Sequence, residues 1–304
     1  MYEVRRLRLL RDLSVHGTVA ATAAACSLTP SAVSQQLSIL EREVGAELLL
    51  RDGRGLVLTE AARVLVRHTE RILAELEQAK AAVSALTSSV SGVLRLSAFA
   101  TAAGTLVPDA LAECRVRHPD LRIRLAERET PEALGTLKSG GVDVALVHEY
   151  NLLAGVTDPG VTVIPLGTEP LFVALPKESV LEPNADGELA LPELRGEQWV
   201  APKSDMALRD TLERACGLAG FVPDLAYTCD DYTVILALVR AGLGVSLVPR
   251  LAVEAVAAEV RLYPVVEPRL TRTVFAAVRA GSAEVPSVAA LLAALRRAAE
   301  SILG

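Results

Sequence analysis

The sequence predicts a multi-domain α/β chain: a small helical unit with a β-hairpin wing, one long helix, then two α/β lobes. Three observations carry this. Short helical stretches separated by tight turns fill the chain up to Val44. From Thr59 a heptad spacing runs for about 30 residues. Beyond Gly92 strand-like and helix-like segments alternate, the texture of an open, mostly parallel sheet.

The first helix follows from Val4, Leu7, Leu10 and Leu13, and closes near Gly17. Thr18 suits the N-cap of a second helix reaching Cys26, and Ser27–Thr29 connects it to a third. That third stretch reads TPSAVSQQLSIL. Pro30 lacks the N–H that would go unpaired at a helix start, and Val33, Leu37, Leu40 and Val44 form one apolar stripe. The opposite side, Ser31, Ser34, Gln35 and Ser38, is short and uncharged where an ordinary exposed face would carry Glu and Lys. Two short helices, a turn and a third helix make a helix-turn-helix pattern. Two apolar runs, Leu48–Leu50 and Leu56–Leu58, then flank Arg51-Asp52-Gly53-Arg54-Gly55, a hairpin wing with two arginines.

In the long helix Leu65, Ile72, Ala79 and Leu86 fall seven apart, with Thr69, Leu76, Val83 and Val90 at the offset of four. That is a coiled-coil seam for a dimer, weakened by its Ala and Thr. The stretch TSSVSG ends it. The first lobe reads as VLRLSAF (strand), Thr101–Arg117 (helix), LRIRLAE (strand), a helix from Thr130 to Ser139, and VDVALV (buried strand). A second unit begins near Pro165 with PLFVALP and QWVAP. It continues through helices near 205–219 and 231–241 to GVSLVP. TRTVFAAVRA and a closing helix, Val288 to Leu303, return to the first lobe. The expected boundaries are 1–58, 59–91 and 92–304, the last divided into lobe I (about 92–164 and 267–304) and lobe II (about 165–266).

Composition narrows the function. The net charge of −6 is uneven: residues 1–89 carry 11 basic and 10 acidic side chains, and the remainder 20 and 27. The near-neutral N-terminal part is compatible with a nucleic-acid partner, with Arg5, Arg6, Arg8, Arg51 and Arg54 as candidates for phosphate contact. No apolar run approaches the roughly 20 residues of a membrane span, and MYEVRRLRLLRDL has no signal-peptide block. A cytoplasmic, membrane-free protein is expected. Cys26, Cys114, Cys216 and Cys229 show no CxxC pairing and the four histidines are dispersed, so neither metal nor cofactor is expected. A redox pair from Cys216 and Cys229 is the minor alternative.

The block HGTVAATAAACSLTPSAVSQQLSILEREVGAELLLRDGRGLVLTEAA, and later LVRAGLGVSLVP, resemble the LysR-type bacterial transcription regulators along essentially the whole chain. Ser27 stands where that family usually has Gly, and Cys26 where it has Leu. The resemblance implies a winged helix-turn-helix, a dimerising linker helix and a two-lobed effector domain like that of periplasmic binding proteins, usually assembled as a homotetramer. It also implies double-stranded DNA as partner. Thr29 and Pro30 match positions that contact bases or thymine methyls, and Arg54 matches the wing arginine. Gln35 can pair bidentately with adenine, and Ser31, Ser34 and Ser38 are slim enough to let a duplex approach. Gln35 replaces an arginine often found there, which tilts preference from guanine toward adenine.

Two lobes leave a cleft at the carboxyl ends of the strands. Thr101 follows the first strand at a helix start, Thr130 caps the next helix and Ser204 precedes the helix of the second lobe. Three N-termini facing the cleft make a setting suited to a carboxylate. By resemblance Thr101 and Thr130 match positions that hold effector acids, and His148 lies where its strand meets the cleft. Glu127, Glu129, Asp230 and Asp231 make the rim acidic, which adds an amine to the expected effector. Phe99 and Tyr232 are candidates to pack on it. An enzyme is disfavoured: the chain has no GxSxG or HExxH, and AGLGVSLVP runs from helix into strand, the wrong order for a dinucleotide fingerprint. A solute-binding protein would not need the first 90 or so residues.

Overall fold

A computed structural model describes residues 1–52, 55–86, 90–155, 158, 160–253 and 260–303. The N-terminal unit is α1 (Val4–His16), α2 (Val19–Ala25), α3 (Pro30–Val44) and a hairpin of β1 (Leu49–Asp52) and β2 (Gly55–Leu58). Its core joins Leu7, Leu10 and Leu13 of α1 to Val33, Leu37 and Leu40 of α3, the apolar stripes of both helices. Thr18 caps α2 by accepting from Ala21 N, and Thr29 caps α3 by accepting from Ala32 N.

The turn between α2 and α3 is a Schellman closure. Leu28 N donates to Ala23 O and Ser27 N to Ala24 O. This places Ser27 at φ +54°, the left-handed region that favours glycine. The glycine expected from the family resemblance therefore has a conformational reason, and Ser27 adopts the geometry at a cost of about 1 kcal/mol. At the other end of α3, Gly45 (φ +76°) ends the helix. The Glu41 carboxylate then accepts from Leu48 N (3.0 Å) and Leu49 N (3.2 Å), fixing the wing to the third helix.

The linker is α4 (Glu60–Leu86), 27 residues. The heptad seam divides on it. Thr69 is buried against its own chain, while Ile72, Leu76 and Val83 stand exposed. Val90 lies beyond the helix and packs on the core of lobe I instead.

Lobe I contains β3 (Gly92–Ala98), α5 (Ala100–Gly104), α6 (Leu106–Arg117), β4 (Leu121–Glu127), α7 (Thr130–Ser139) and β5 (Val144–Tyr150). The single helix expected over 101–117 is broken at Thr105, whose hydroxyl turns back to Thr101 O (2.7 Å). β3 pairs in parallel with both β4 and β5. The sheet is less parallel than its βαβ order suggests, because β12 (Thr271–Arg279) enters antiparallel between β5 and the long β6 (Val161–Leu175). β6 continues into lobe II, where β10 (Ser246–Pro249) and β11 (Arg261–Val266) pair with it, and the short β7 (Leu189–Ala190) follows β11. β8 (Gln198–Ala201) and β9 (Asp224–Thr228) form a parallel pair carrying α8 (Ala207–Leu218) and α9 (Tyr232–Arg240). The final helix α10 (Pro286–Leu303) returns to lobe I, where Leu291 and Leu295 join its core. No described helix is long and apolar enough to cross a membrane.

Candidate DNA-reading face and effector cleft

On α3 the residues singled out for DNA share one exposed side: Thr29, Pro30, Ser31, Ser34, Gln35 and Ser38. The Thr29 hydroxyl is engaged in the cap and lies 3.0 Å from Ser31 Oγ. The Ser34 hydroxyl and the Gln35 amide have no hydrogen-bond partner among the described residues, so their polar groups are available to a ligand. Gln36, on the adjacent side, instead accepts from Arg6 Nε (3.2 Å). Arg51 lies on β1 opposite Leu56, and Arg54 lies outside the described residues. Two proposed phosphate contacts are occupied elsewhere. Arg6 is paired with Glu3 and Glu43, and Arg8 donates to Ser139 O of lobe I (3.1 Å). Arg5 stands exposed.

The cleft between the lobes encloses about 1110 Å³ and is lined by Phe99, Thr101, His148, Tyr150, Tyr232 and Arg272, among others. Its floor is a buried ion pair that the sequence reading missed. Arg272 on β12 sits opposite Glu169 on β6, with Nε 2.7 Å from Glu169 Oε1. Neither side chain exceeds 2 % exposure. The other Glu169 oxygen accepts from Leu251 N (2.8 Å), and Arg272 also donates to Thr101 Oγ1 (3.0 Å). Phe99 lies under the guanidinium at 5.0 Å, a cation–π contact. One signal was legible: both charges fall on the buried alternation of their strands, with Leu171 and Val173 beside Glu169 and Val274 beside Arg272.

The structure revises the roles given to three residues. Thr101 is inside the first turn of α5, whose N-cap is Phe99, and its hydroxyl serves Arg272 rather than a helix N–H. Thr130 is the first residue of α7, whose N-cap is Glu129; its hydroxyl accepts from His148 N and lies 3.1 Å from His148 Nδ1. Ser204 is exposed in a turn before α8, whose N-cap is Met206; Met206 and Ala207, not Ser204, line the cleft. Both α5 and α7 begin without a side-chain cap, and Phe99, Ala100 and Thr101 at the start of α5 and Glu129 at the start of α7 line the cleft.

His148 stacks edge-on between Phe99 (4.6 Å) and Tyr150 (5.2 Å). Burial, with the Arg272 charge adding to it, pushes its ring down to about 3, so it is neutral at physiological pH. Thr130 Oγ1 and His148 Nδ1 share a hydrogen bond of 3.1 Å, which orients the ring. Five carboxylates line the cavity: Asp109, Glu127, Glu129, Asp230 and Asp231. Burial raises the Glu129 carboxyl, partly offset by Arg272 and reinforced by Glu127 and Asp230. Burial also acts to raise Asp230, but hydrogen bonds from Lys203 outweigh it and lower the group. Asp231 caps α9 by accepting from Thr233 N (2.7 Å). Burial pushes the Tyr232 phenol well up.

Three of the four thiols are held toward the protonated form. Burial raises Cys216 to about 12, and burial with the neighbouring Asp12 raises Cys26 to about 11. Burial also pushes Cys114 up. Cys216 and Cys229 belong to two different core clusters of lobe II. No group of three or more His, Cys, Asp or Glu with metal-site geometry occurs among the described residues.

The two halves of this arrangement match two family descriptions: "Bacterial regulatory helix-turn-helix protein, lysR family" over residues 4–63, and "LysR substrate binding domain" over residues 87–300. The chain belongs to the LysR family of transcriptional regulators. Among LysR-family relatives it is 29% identical over 285 residues to the DNA-binding transcriptional dual regulator OxyR of Escherichia coli, covering 92% of this chain and 90% of that one. It is also 29% identical over 283 residues to the hydrogen peroxide-inducible genes activator of Dickeya chrysanthemi, covering 92% and 90%. Its fold is shared with a full-length OxyR variant from Pseudomonas aeruginosa (TM-score 0.66, 20% identity, 97% of this chain and 95% of that chain). It is shared too with full-length CbnR bound to target DNA (TM-score 0.55, 23% identity, 98% and 100%). These LysR-family relatives are regulators of transcription, not enzymes, and so is this chain.

His148 makes a pH test available. Its folded value near 3 lies below the ordinary 6.5, so the unfolded chain binds more protons between these limits. Its contribution to stability is complete above pH 6.5 and is lost as pH falls toward 3. Unfolding free energies from urea titrations between pH 7 and 5 are expected to fall by a component of about 1.4 kcal/mol per pH unit below the unfolded value. His148→Gln is expected to remove that component, and an unchanged slope would place the acid sensitivity elsewhere.

Proposed function

We propose that this LysR-family chain reads an operator with the exposed side of α3 and is controlled by a small molecule carrying both an acid and an amine, bound between the lobes. The observation that carries the DNA reading is the side of α3 that is exposed, slim and uncharged, with the Gln35 amide unoccupied. A helix enters the major groove only where its side chains permit close approach and can bond base edges. Thr29, Pro30, Ser31, Ser34 and Ser38 would surround the Gln35 contact, with Arg51 and Arg54 of the wing beside it. A dimer through the exposed Ile72, Leu76 and Val83 of α4 would place two such helices about 34 Å apart on a partly palindromic site, and a tetramer would engage two such pairs. A cytoplasmic location accords with this partner. Gln35→Ala is expected to lower operator affinity on the order of tenfold or more while leaving random-duplex affinity nearly unchanged, read by fluorescence anisotropy. Equal losses on both duplexes would reduce Gln35 to a positioning role.

The effector reading is supported by the cleft chemistry. The uncapped starts of α5 and α7, near Arg272, suit an acid group. The carboxylates of Glu127, Glu129 and Asp230 suit an ammonium. Phe99, Tyr232 and Met206 supply apolar walls, and Thr101 and His148 add polar groups to the lining, with Thr130 bonded to His148. Peroxide control, which the relatives' names suggest, finds no support in the raised Cys26, Cys114 and Cys216 thiols, because the thiolate is the reactive form. Thermal-shift screening is expected to show stabilisation by amino acids or related compounds. Stabilisation by simple dicarboxylates alone would contradict the amine half of the reading.

A further inference from the structure

We propose that α7 links the effector cleft mechanically to the DNA-binding unit within one chain. This rests on the reading of the cleft as the effector site. The helix has ten residues, a rod of about 15 Å. It is seated on the sheet by Ala133 and Leu137, which pack with Val142, Ala145 and Val147. Each end is held by a different part of the molecule.

At the cleft end, Thr130 accepts from His148 N and contacts its ring nitrogen, both at 3.1 Å, and Glu129 lines the cavity. At the far end three guanidinium groups cover the terminal carbonyls. Arg279 of β12 donates to Leu137 O (3.2 Å). Two arginines from α1 do the rest: Arg11 donates to Lys138 O and Arg8 to Ser139 O. Cations at a helix C-terminus complement its partial negative charge, and here two of them belong to the DNA-binding unit. Arg8 and Arg11 are three residues apart and so share one side of α1.

The linker helix docks beside this contact through close backbone approach. A Cβ at Gly160 would collide with the Glu70 carboxylate, and one at Gly281 with the Ala74 carbonyl. Within lobe I, Lys138 pairs with Asp158 at 2.8 Å beside this seam. The interface is polar and incompletely satisfied. Arg11 Nε and Asp12 Oδ1 are buried without a hydrogen bond, although they lie 3.3 Å apart. Buried charges with unmet hydrogen bonds hold two bodies together weakly, which makes this a contact that can open and close. A ligand that moves His148 or Thr130 would displace α7 along the sheet and present altered carbonyls to α1. The register of α3 on DNA would change with it.

The test uses the full-length chain, without DNA or effector, and measures amide hydrogen exchange by mass spectrometry. Thr130→Val removes the cleft-end hydroxyl, and Thr130→Ala is a second variant that does so. Either is expected to speed exchange in α1 on the order of fivefold, the scale of one lost hydrogen bond. Arg8→Ala, at a half-exposed side chain, is expected to speed exchange in the last turn of α7. Combined with Arg8→Ala, the Thr130 change is expected to add nothing in α1, because the link is already cut. Thr130→Ser, which keeps the hydroxyl, is expected to match the unaltered chain. Unchanged α1 exchange in both hydroxyl-less variants, full additivity with Arg8→Ala, or acceleration by Thr130→Ser would overturn the proposal. Such a result would leave the regulator reading standing, since operator binding is measured separately.

Discussion

The architecture of the effector domain turns on one buried ion pair, Arg272 with Glu169. Both residues lie on strands that run between the lobes, 103 positions apart in sequence and opposite each other in the antiparallel register of β6 and β12. Taking two charges out of water costs several kcal/mol per ion, and this is offset only where the remaining hydrogen-bonding groups are met. Leu251 N and Thr101 Oγ1 meet two of them, and they come from the return segment after β10 and from α5 of lobe I. The pair therefore fixes where the two lobes meet, and it sets the floor on which Phe99, His148 and Tyr150 stack.

The chemistry of the cleft follows from that arrangement. Glu169 largely neutralises the one arginine lining the described cavity, so five surrounding carboxylates set its sign. His148 is held neutral by burial and by the Arg272 charge and is oriented by Thr130, a fixed uncharged polar group at physiological pH. The wing hairpin is positioned by similarly local means, with the Glu41 carboxylate accepting from Leu48 N and Leu49 N where β1 begins.

What the sequence made legible was local. Period-3.6 stripes, the Thr18 cap, the Pro30 start and the Gly17 stop located α1 to α3, because each signal acts within a few residues. The cleft lining was partly legible for the same reason: Phe99, Thr101 and Glu129 sit where strands give way to helices. Their roles were not, since the Thr101 hydroxyl answers to Arg272, 171 residues away. The seam of α4 also read as uniform, whereas Thr69 faces the chain's own body and Ile72 and Leu76 face outward. Antiparallel insertion of β12 escaped a βαβ reading because a late strand can return to an early sheet without any local mark.

The most direct measurement is a double-substitution cycle on the pair, with urea unfolding followed by fluorescence of the single tryptophan, Trp199 of lobe II. Glu169→Gln alone is expected to cost about 3–5 kcal/mol by stranding a buried guanidinium. Adding Arg272→Met is expected to recover most of that loss. A single substitution tolerated within about 1 kcal/mol, or one whose cost persists in the double variant, would contradict the account of this pair as the constraint that joins the lobes.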